Sequence, residues 1–568
     1  MKSRTRPFAA LAVALTTLVS PFAIAQKQAP QEPKLVESID VRVINVDVVV
    51  TDRKGNPVTG LTKDDFEILE NGVPKPISNF YEVEGSKPKN VVADATAAPA
   101  PNALPEPQRI GDVPESQKRR IIFYVDNLSM APFNRNRVFN QMKEFVKTVM
   151  RPGDEAMVAT FNRSLKVRVP FTRDPVQIQQ MFDAIAGETA MGMSNKSEQT
   201  QMQDRIRDAQ TYEEAVSIAR NYASSVEHDL RQSASSLTGL MSTLAGVEGK
   251  KILVLTSEGF PMQPGREAFY FIDAMSAEKN WGGVAGASML EGMTFDSSRL
   301  IQDIAKSANA NGITMYAIHA AGLTGGSEMS AENRTATPFT VTQAAVSNTQ
   351  ESMQLMADMT GGIASTSTNN FDAAFKKILR DLDSYYSLGY RAGTERVDRQ
   401  RYLSVRVKGK NYIVRNRQTF VEKSTYAEMS DRVVANLLYR VKANDLGIIA
   451  RVGTPRPAED GNFVVPLDVQ IPIEKLTLLP QGDTESVGGF EVYVAVADRD
   501  GDMSDVSRKS HQVRIPTADL PKMAGKYYTY TLDLLMARGL NKISVGVVDS
   551  ISNQDGFARE QIIAQDLR

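Results

Sequence analysis

Arg120-Ile-Ile-Phe-Tyr-Val-Asp-Asn-Leu-Ser-Met130 decides the fold. Ile121 to Val125 is an unbroken apolar run that stops at Asp126, the pattern of a strand buried on both faces. Val138, Met142, Phe145, Val146 and Val149 then recur at helical spacing. A buried strand followed by an amphipathic helix opens a parallel α/β sheet. In such sheets ligands bind outside the carboxyl ends of the strands, which makes Asp126 the first place to look for a site.

The same rhythm continues outward. Ala156–Phe161, Lys251–Thr256 and Ile313–His319 read as further buried strands, and Leu165–Val169 as a short antiparallel edge. Arg299–Asn309 and Asp372–Leu382 read as helices and Ser352–Met359 as the end of another, the first stopped by Asn311-Gly312 and the last by Gly361-Gly362. Strands alternating with helices predict a doubly wound, mostly parallel sheet over residues 119–392. About sixty residues, 187–248, are long for one connection here. Tyr212 to Leu244 predicts one extended covering helix, preceded by a polar, Met-rich loop from Met191 to Asp208. Gly259–Met293, with the sole tryptophan Trp281, and Gly322–Asn348 read as irregular stretches overhanging the Asp126 edge.

The flanks read differently. Val41–Asp52, Phe66–Leu69 and the Asn71-Gly72 turn predict a small β module over residues 35–85. Residues 86–118, rich in Ala and Pro, read as a linker. Alternating residues such as Leu403, Val405 and Val407 make 393–425 a β extension, and 426–568 reads as a C-terminal β-sandwich-like domain. Lys2, Arg4 and Arg6 precede the apolar stretch Phe8–Ile24 and the small-residue end Ala23-Ile24-Ala25. This predicts a signal peptide over residues 1–25, with the chain exported to the periplasm, cell envelope or outside. No later apolar run is long enough for a membrane span.

Bulk chemistry narrows the function classes. The 568 residues carry a formal net charge of −1, which gives no global field for nucleic acid. With no cysteine there are no disulfides, thiolate metal sites or cysteine nucleophiles, and His228, His319 and His511 are the only histidines. Asp498-Arg-Asp-Gly-Asp502 lacks the spacing and closing glutamate of a Ca²⁺ loop and reads as a hairpin turn. Gly286-Ala-Ser-Met-Leu290 lacks the second glycine of a nucleophile elbow, and no Ser/His/Asp set assembles. The expectation is a non-enzyme.

Several stretches together resemble the von Willebrand factor A domain, and more narrowly the exported bacterial VWFA-related subgroup. They are Val46-Asp-Val-Val-Val-Thr-Asp52, Gly60-Leu-Thr-Lys-Asp-Asp-Phe66, Glu70-Asn-Gly72, Ala357-Asp-Met-Thr-Gly-Gly362 and Tyr385-Tyr-Ser-Leu-Gly-Tyr390. The resemblance spans about Leu35 to Val421. It implies an adhesion-type protein that recognises a protein partner at the strand-end rim, and a metal site with the pattern Asp-x-Ser-x-Ser, a Thr, and an Asp before Gly. Asp126 matches the first position. Leu128 and Met130 stand at the two serine positions, Ser129 is displaced by one, and Glu258 stands for the later Asp. Mg²⁺ takes oxygen ligands in an octahedron, so Asp126, Ser129 and Glu258 make a degenerate site and no resident cofactor is expected. The partner-binding rim is predicted as Asp126, Asn127, Ser129, Glu258 and His319, each at or near a strand end. The alternatives are a hydrolase using Asp126 and Glu258 as acid–base carboxylates, or a structural cell-envelope module with no ligand.

Overall fold

The computed structural model describes residues 43–85, 87–92, 118–281, 286–322, 338–391, 397–409, 411–439 and 443–565. The predicted signal peptide and most of the predicted linker lie outside the described residues.

The apolar run forms the strand Arg119–Asp126, every residue of which is buried. It pairs in parallel with Glu155–Phe161 on one side and Lys250–Ser257 on the other. Ile313–His319 pairs in parallel beyond Lys250–Ser257, followed by Ala364–Ser365, while Leu165–Thr172 is the antiparallel edge beyond Glu155–Phe161. Taking these six strands in chain order, the sheet runs 3-2-1-4-5-6. The direction of winding reverses between the first strand and the fourth. The ends of Arg119–Asp126 and Lys250–Ser257 therefore form the switch point, the position at which this architecture binds ligands.

One face of the sheet buries Ile121, Phe123 and Val125 against the helices Pro132–Val149, Pro175–Ala186 and Phe371–Asp383. The other buries Ile122 and Tyr124 against the helices Tyr212–Thr243, Ser298–Ala310 and Phe339–Thr360. The covering helix Tyr212–Thr243 is 32 residues long. At its start Thr211 caps the Glu214 N–H, with Glu213 and Glu214 in the first turn. At its end the buried Lys251 Nζ donates to the carbonyls of Leu244, Ala245 and Val247 at 3.2, 3.1 and 2.8 Å. Burial pulls that ammonium down to about 7. Fully buried Leu237 and Met241, with Leu230 and Leu240 nearly so, contribute about 1.5–3 kcal/mol each on the sheet side.

Several local expectations are corrected. Met191–Asp208, read as a loop, is largely the helix Gly192–Asp208, whose buried Met202 and Ile206 are its short apolar stripe. The stretch Gly259–Met293 contains the helices Arg266–Lys279 and Ala287–Gly292. The helix Phe339–Thr360, whose end the sequence places at Ser352–Met359, begins inside the stretch Gly322–Asn348, read as irregular. Gly192–Asp208, Arg266–Lys279 and Phe339–Thr360 share with the covering helix a satellite core that includes Ile206, Ala215, Ala219, Phe269, Phe271 and Val341, and that packing supplies what weak periodicity does not.

The domain boundaries also move. Ser384–Arg391, inside the expected 119–392 region, pairs instead between Val43–Thr51 and Ile77–Glu84, and Ile413–Asn416 joins the other side of Val43–Thr51. Lys87–Val92, expected as linker, is a strand on Ile77–Glu84. Gln400–Val407 pairs with Phe66–Glu70, which turns through Asn71 and Gly72 (φ 50° and 81°) into Val73–Lys75. Both positive φ values suit that tight hairpin. The leading β module is thus completed by strands expected as a separate 393–425 extension. Asp381 joins the two: its carboxylate accepts two bonds from Arg415 at 2.6 and 2.8 Å and one from Tyr316 at 3.3 Å.

Beyond it, Thr425–Tyr439 is a helix where only β structure was expected. Two antiparallel sheets follow. One is built around Phe463–Pro472 and the other around Glu485–Ala497, and both contribute to one apolar cluster.

Removing the Arg415 guanidinium leaves a buried carboxylate without its cation. Arg415→Met is expected to lower the unfolding free energy by about 3 kcal/mol in chemical denaturation. Lys408→Met, on an exposed edge, is expected to stay within about 0.5 kcal/mol of the parent.

Candidate functional site

Asp126 ends the first strand of the sheet and is 1% exposed. Its Oδ2 accepts from the Ser257 hydroxyl at 2.6 Å and from the Ser129 hydroxyl at 2.7 Å. The two hydroxyl oxygens lie 3.0 Å apart. Ser129 Oγ also accepts the Glu258 N–H at 3.0 Å, and Ser257 Oγ the Gly259 N–H at 2.8 Å. A closed hydrogen-bond knot therefore links the ends of the first and fourth strands. Burial drives the Asp126 carboxyl up from the usual carboxylate range, and the serine bonds pull partly against it. Gly259 is required here: a Cβ would lie 2.9 Å from Ser129 Cβ and 3.3 Å from Asp126 Oδ2.

Glu258 sits beside the knot, half-buried. Its Oε1 accepts the Ala131 N–H at 3.3 Å. Burial pushes its carboxyl up to about 7; Asn134, Ala131 and Arg137 oppose that shift.

The loop after Asp126 divides between the two cores. Leu128 packs with Phe161 and Tyr124 on one side of the sheet, and Met130 with Val138 and Phe139 on the other. The two positions that the metal pattern reserves for hydroxyls thus hold carbon side chains committed to core packing. Among the described residues no group of three His, Asp or Glu side chains is arranged to hold a metal. Asp126 Oδ2 already accepts two hydroxyl bonds, and the Glu258 carboxyl is held by Ala131 and Asn134. This donor set does not fit an octahedral Mg²⁺ centre with a position open to a partner.

Three residues of the predicted rim do not face outward. Asp126, Asn127 and His319 are 1%, 2% and 2% exposed. Asn127 Oδ1 accepts from the fully buried Arg135 at 3.1 Å. His319 Nε2 bonds Thr349 Oγ1 at 3.1 Å, and burial lowers its pKa to about 4, so it stays neutral. Of the predicted rim only Ser129 and Glu258 keep partial exposure.

The cover comes from the insertion. Met191 N–H donates to Asn127 O at 3.0 Å, Gly192 N–H to Met130 O at 3.1 Å, and Asn195 Nδ2 to Leu128 O at 3.1 Å. The contact is close enough that a Cβ on Gly192 would lie 2.3 Å from the Met130 carbonyl carbon. Arg135 adds bonds to Ala186 O and Glu188 O. Close in sequence to that contact, Phe133 is 76% exposed and Met193 58%. An open groove of about 500 Å³ runs between the Phe161–Leu165 turn and the covering helix. Arg163, His228 and Arg231 lie along it. Arg163 holds φ 60°, a left-handed conformation that a non-glycine residue adopts at a cost. Sequence reasoning missed Ser257, whose only signal was its place as the last residue of a buried strand. It also missed the insertion's N-terminal turn, for which no motif exists.

No protein-family profile matches this chain, and no curated protein matches it. Among solved structures, an aerotolerance-related membrane protein from Bacteroides fragilis NCTC 9343 is 12% identical, with 46% of this chain and 98% of that chain covered and a TM-score of 0.25. BatB from Bacteroides thetaiotaomicron is 11% identical, covering 47% and 96%, at TM-score 0.21. Proximal thread matrix protein 1 from the mussel byssus is 13% identical, covering 47% and 48%, at TM-score 0.20. Overlap at these scores decides neither fold nor function.

The raised carboxyl of Glu258 has a pH consequence. Between its unfolded pKa, near 4.5, and its folded value of about 7, the folded state binds the extra proton. Stability from this group is therefore present at low pH and is lost as pH rises through that window. Relative to Glu258→Gln, the parent chain is expected to lose stability from pH 5 to pH 7. The slope is at most about 1.4 kcal/mol per pH unit, measured by urea unfolding at each pH. Equal pH profiles would contradict the burial of Glu258.

Proposed function

We propose that the central region is a von Willebrand A-like binding domain of an exported, non-catalytic, adhesion-type protein. It recognises a protein partner through the strand-end rim, without a bound divalent ion. The single observation that carries this reading is the sealed Asp126 knot at the switch point, whose loop and covering turn are followed in the chain by the exposed Phe133 and Met193. A ligand arriving at this edge meets Phe133, Met193, Ser129, Glu258 and the Arg163 groove rather than the Asp126 carboxylate. Large exposed apolar side chains at a rim with basic and hydroxyl groups nearby suit a protein surface. The strand order and the position of Asp126 support the A-domain reading independently of any metal.

Export rests on the basic start and apolar stretch of residues 1–25. No helix among the described residues is long and apolar enough to cross a membrane. We read the two C-terminal sheets as a β-sandwich.

A hydrolase reading draws support from Glu258, whose carboxyl titrates near 7 and could exchange protons at physiological pH. It needs a second accessible carboxylate, and Asp126 is buried under two hydroxyls. The binding reading is therefore preferred.

Partner capture from cell-envelope extract, with and without chelator, tests it. Binding is expected to survive chelation, and calorimetric titration with Mg²⁺, Mn²⁺ and Ca²⁺ to show no micromolar site. Phe133→Ala with Met193→Ala is expected to weaken capture by about tenfold or more, as for a pair of exposed anchor side chains. Asp126→Ala is expected to act on stability, by about 1–3 kcal/mol, because Ser129 and Ser257 lose their common acceptor. Chelator-sensitive capture, abolished with metal binding by Asp126→Ala, would overturn the proposal.

A further inference from the structure

The strand Tyr527–Met536 stands out among the sheet edges of the C-terminal region. Along its whole length it pairs on one side with Phe463–Pro472. Among the described residues no strand pairs with its other side. An unpaired edge is a row of free N–H and C=O groups, which proteins ordinarily guard with lysine, proline, a bulge or shortness. This edge is 10 residues long, holds no Lys, Arg, Pro or Gly, and keeps an unbroken register. Its one charge, Asp533, is already paired with Arg456 at 3.2 Å. The facing edge of the other sheet, Ser507–Pro516, is guarded by contrast: it carries Arg508, Lys509 and Arg514 and ends in proline.

The apolar core is also unfinished on this side. On the neighbouring strand Val465, Leu467, Val469 and Ile471 are fully buried. On the edge strand Tyr528, Tyr530, Leu532 and Leu534 belong to the margin of the same cluster and are only partly buried. A further strand laid alongside would cover that row and satisfy the free backbone groups together.

We propose that the occupant is a second copy of this chain, added edge to edge and antiparallel, with Thr531 opposite Thr531 on the two-fold axis. The sequence is self-complementary in that register. Tyr527 stands opposite Leu535 of the copy, Tyr528 opposite Leu534, Thr529 opposite Asp533, and Tyr530 opposite Leu532. Each pair falls on one face, because residues directly opposite in an antiparallel ladder share a face. Aromatic residues meet aliphatic ones, and the carboxylate meets a hydroxyl. A register centred on Asp533 would instead set two carboxylates against each other, which the Thr531 centre avoids. The result is an isologous dimer with one sheet continuous across both chains.

The chain contains no cysteine, so single-cysteine variants report the register directly. Directly opposed Cβ atoms lie about 4.5–5.5 Å apart, a distance a disulfide can close with slight adjustment. Residue 529 and its own copy are four positions out of register, about 14 Å at ~3.4 Å per residue. In the purified full chain under copper–phenanthroline oxidation, Thr531→Cys is expected to form a covalent dimer at least about tenfold faster than Thr529→Cys. Light scattering of the parent is expected to show twice the chain mass at about 100 µM, the range for a small interface. Thr531→Lys, whose amine can reach Asp468, the present partner of the Thr531 hydroxyl, is expected to be monomeric with an unchanged melting profile. Mixing it with Thr531→Glu is expected to restore the dimer mass by pairing opposite charges. A parent chain monomeric at that concentration, equal cross-linking of the two cysteine variants, or a dimer indifferent to Thr531→Lys would each overturn the inference.

Discussion

Placing a carboxyl group at the buried end of a parallel strand is the constraint around which the central region is arranged. Unpartnered, such a group costs several kcal/mol. Asp126 is partnered from two directions, by Ser129 in its own loop and by Ser257 on the strand across the switch point. Those bonds fix the loop, and the fixed loop sends Leu128 into one core and Met130 into the other. Pro132 then starts the next helix at its first turn, where a missing N–H costs nothing. The hydroxyls that could have faced a metal instead serve the carboxylate, and the rim is closed from within.

The insertion completes that closure. Its first turn reads the carbonyls of the Asp126 loop, while Arg135 binds Ala186 O, Glu188 O and Asn127 Oδ1 from beneath. A buried guanidinium satisfied by neutral oxygens fixes geometry more than it adds stability. Because the bonds of Met191, Gly192 and Asn195 go to main-chain carbonyls, they hold the insertion over the loop whatever side chains the loop carries. Its long helix covers one sheet face, and its N-terminal helix leaves Met193 exposed.

The other regions are tied to this frame by polar contacts at its opposite end. Asp381 is held by Arg415 from the β module and Tyr316 from the sheet. The Thr425–Tyr439 helix presses its backbone onto Gly246, where a Cβ would lie 2.3 Å from the Asp431 carbonyl carbon. Arg432 of that helix reaches Glu248 at 2.7 Å and also pairs with Asp555 in the last strand. The β module, the parallel sheet and the C-terminal sheets therefore meet through these contacts.

The sequence by itself determined the elements whose pattern is local. Continuous apolar runs mark Arg119–Asp126, Lys250–Ser257 and Ile313–His319, because a strand covered on both faces has no polar position to spare. Asn71-Gly72 marks its hairpin because few residues accept positive φ twice. The convergence of Asp126 with Glu258 was legible too, since both end strands of one parallel sheet. Tertiary structure alone decided the rest. Gly192–Asp208 and Arg266–Lys279 are helices because they share a small core, which their own weak stripes do not announce. Ser384–Arg391 left the parallel sheet for a module that begins some 340 residues earlier, at Val43, because cross-strand pairing depends on a distant partner that no local window contains. Asp126, Asn127 and His319 looked like a surface and proved buried, for the same reason: exposure depends on what packs above a residue, and here that was supplied by segments remote in the chain.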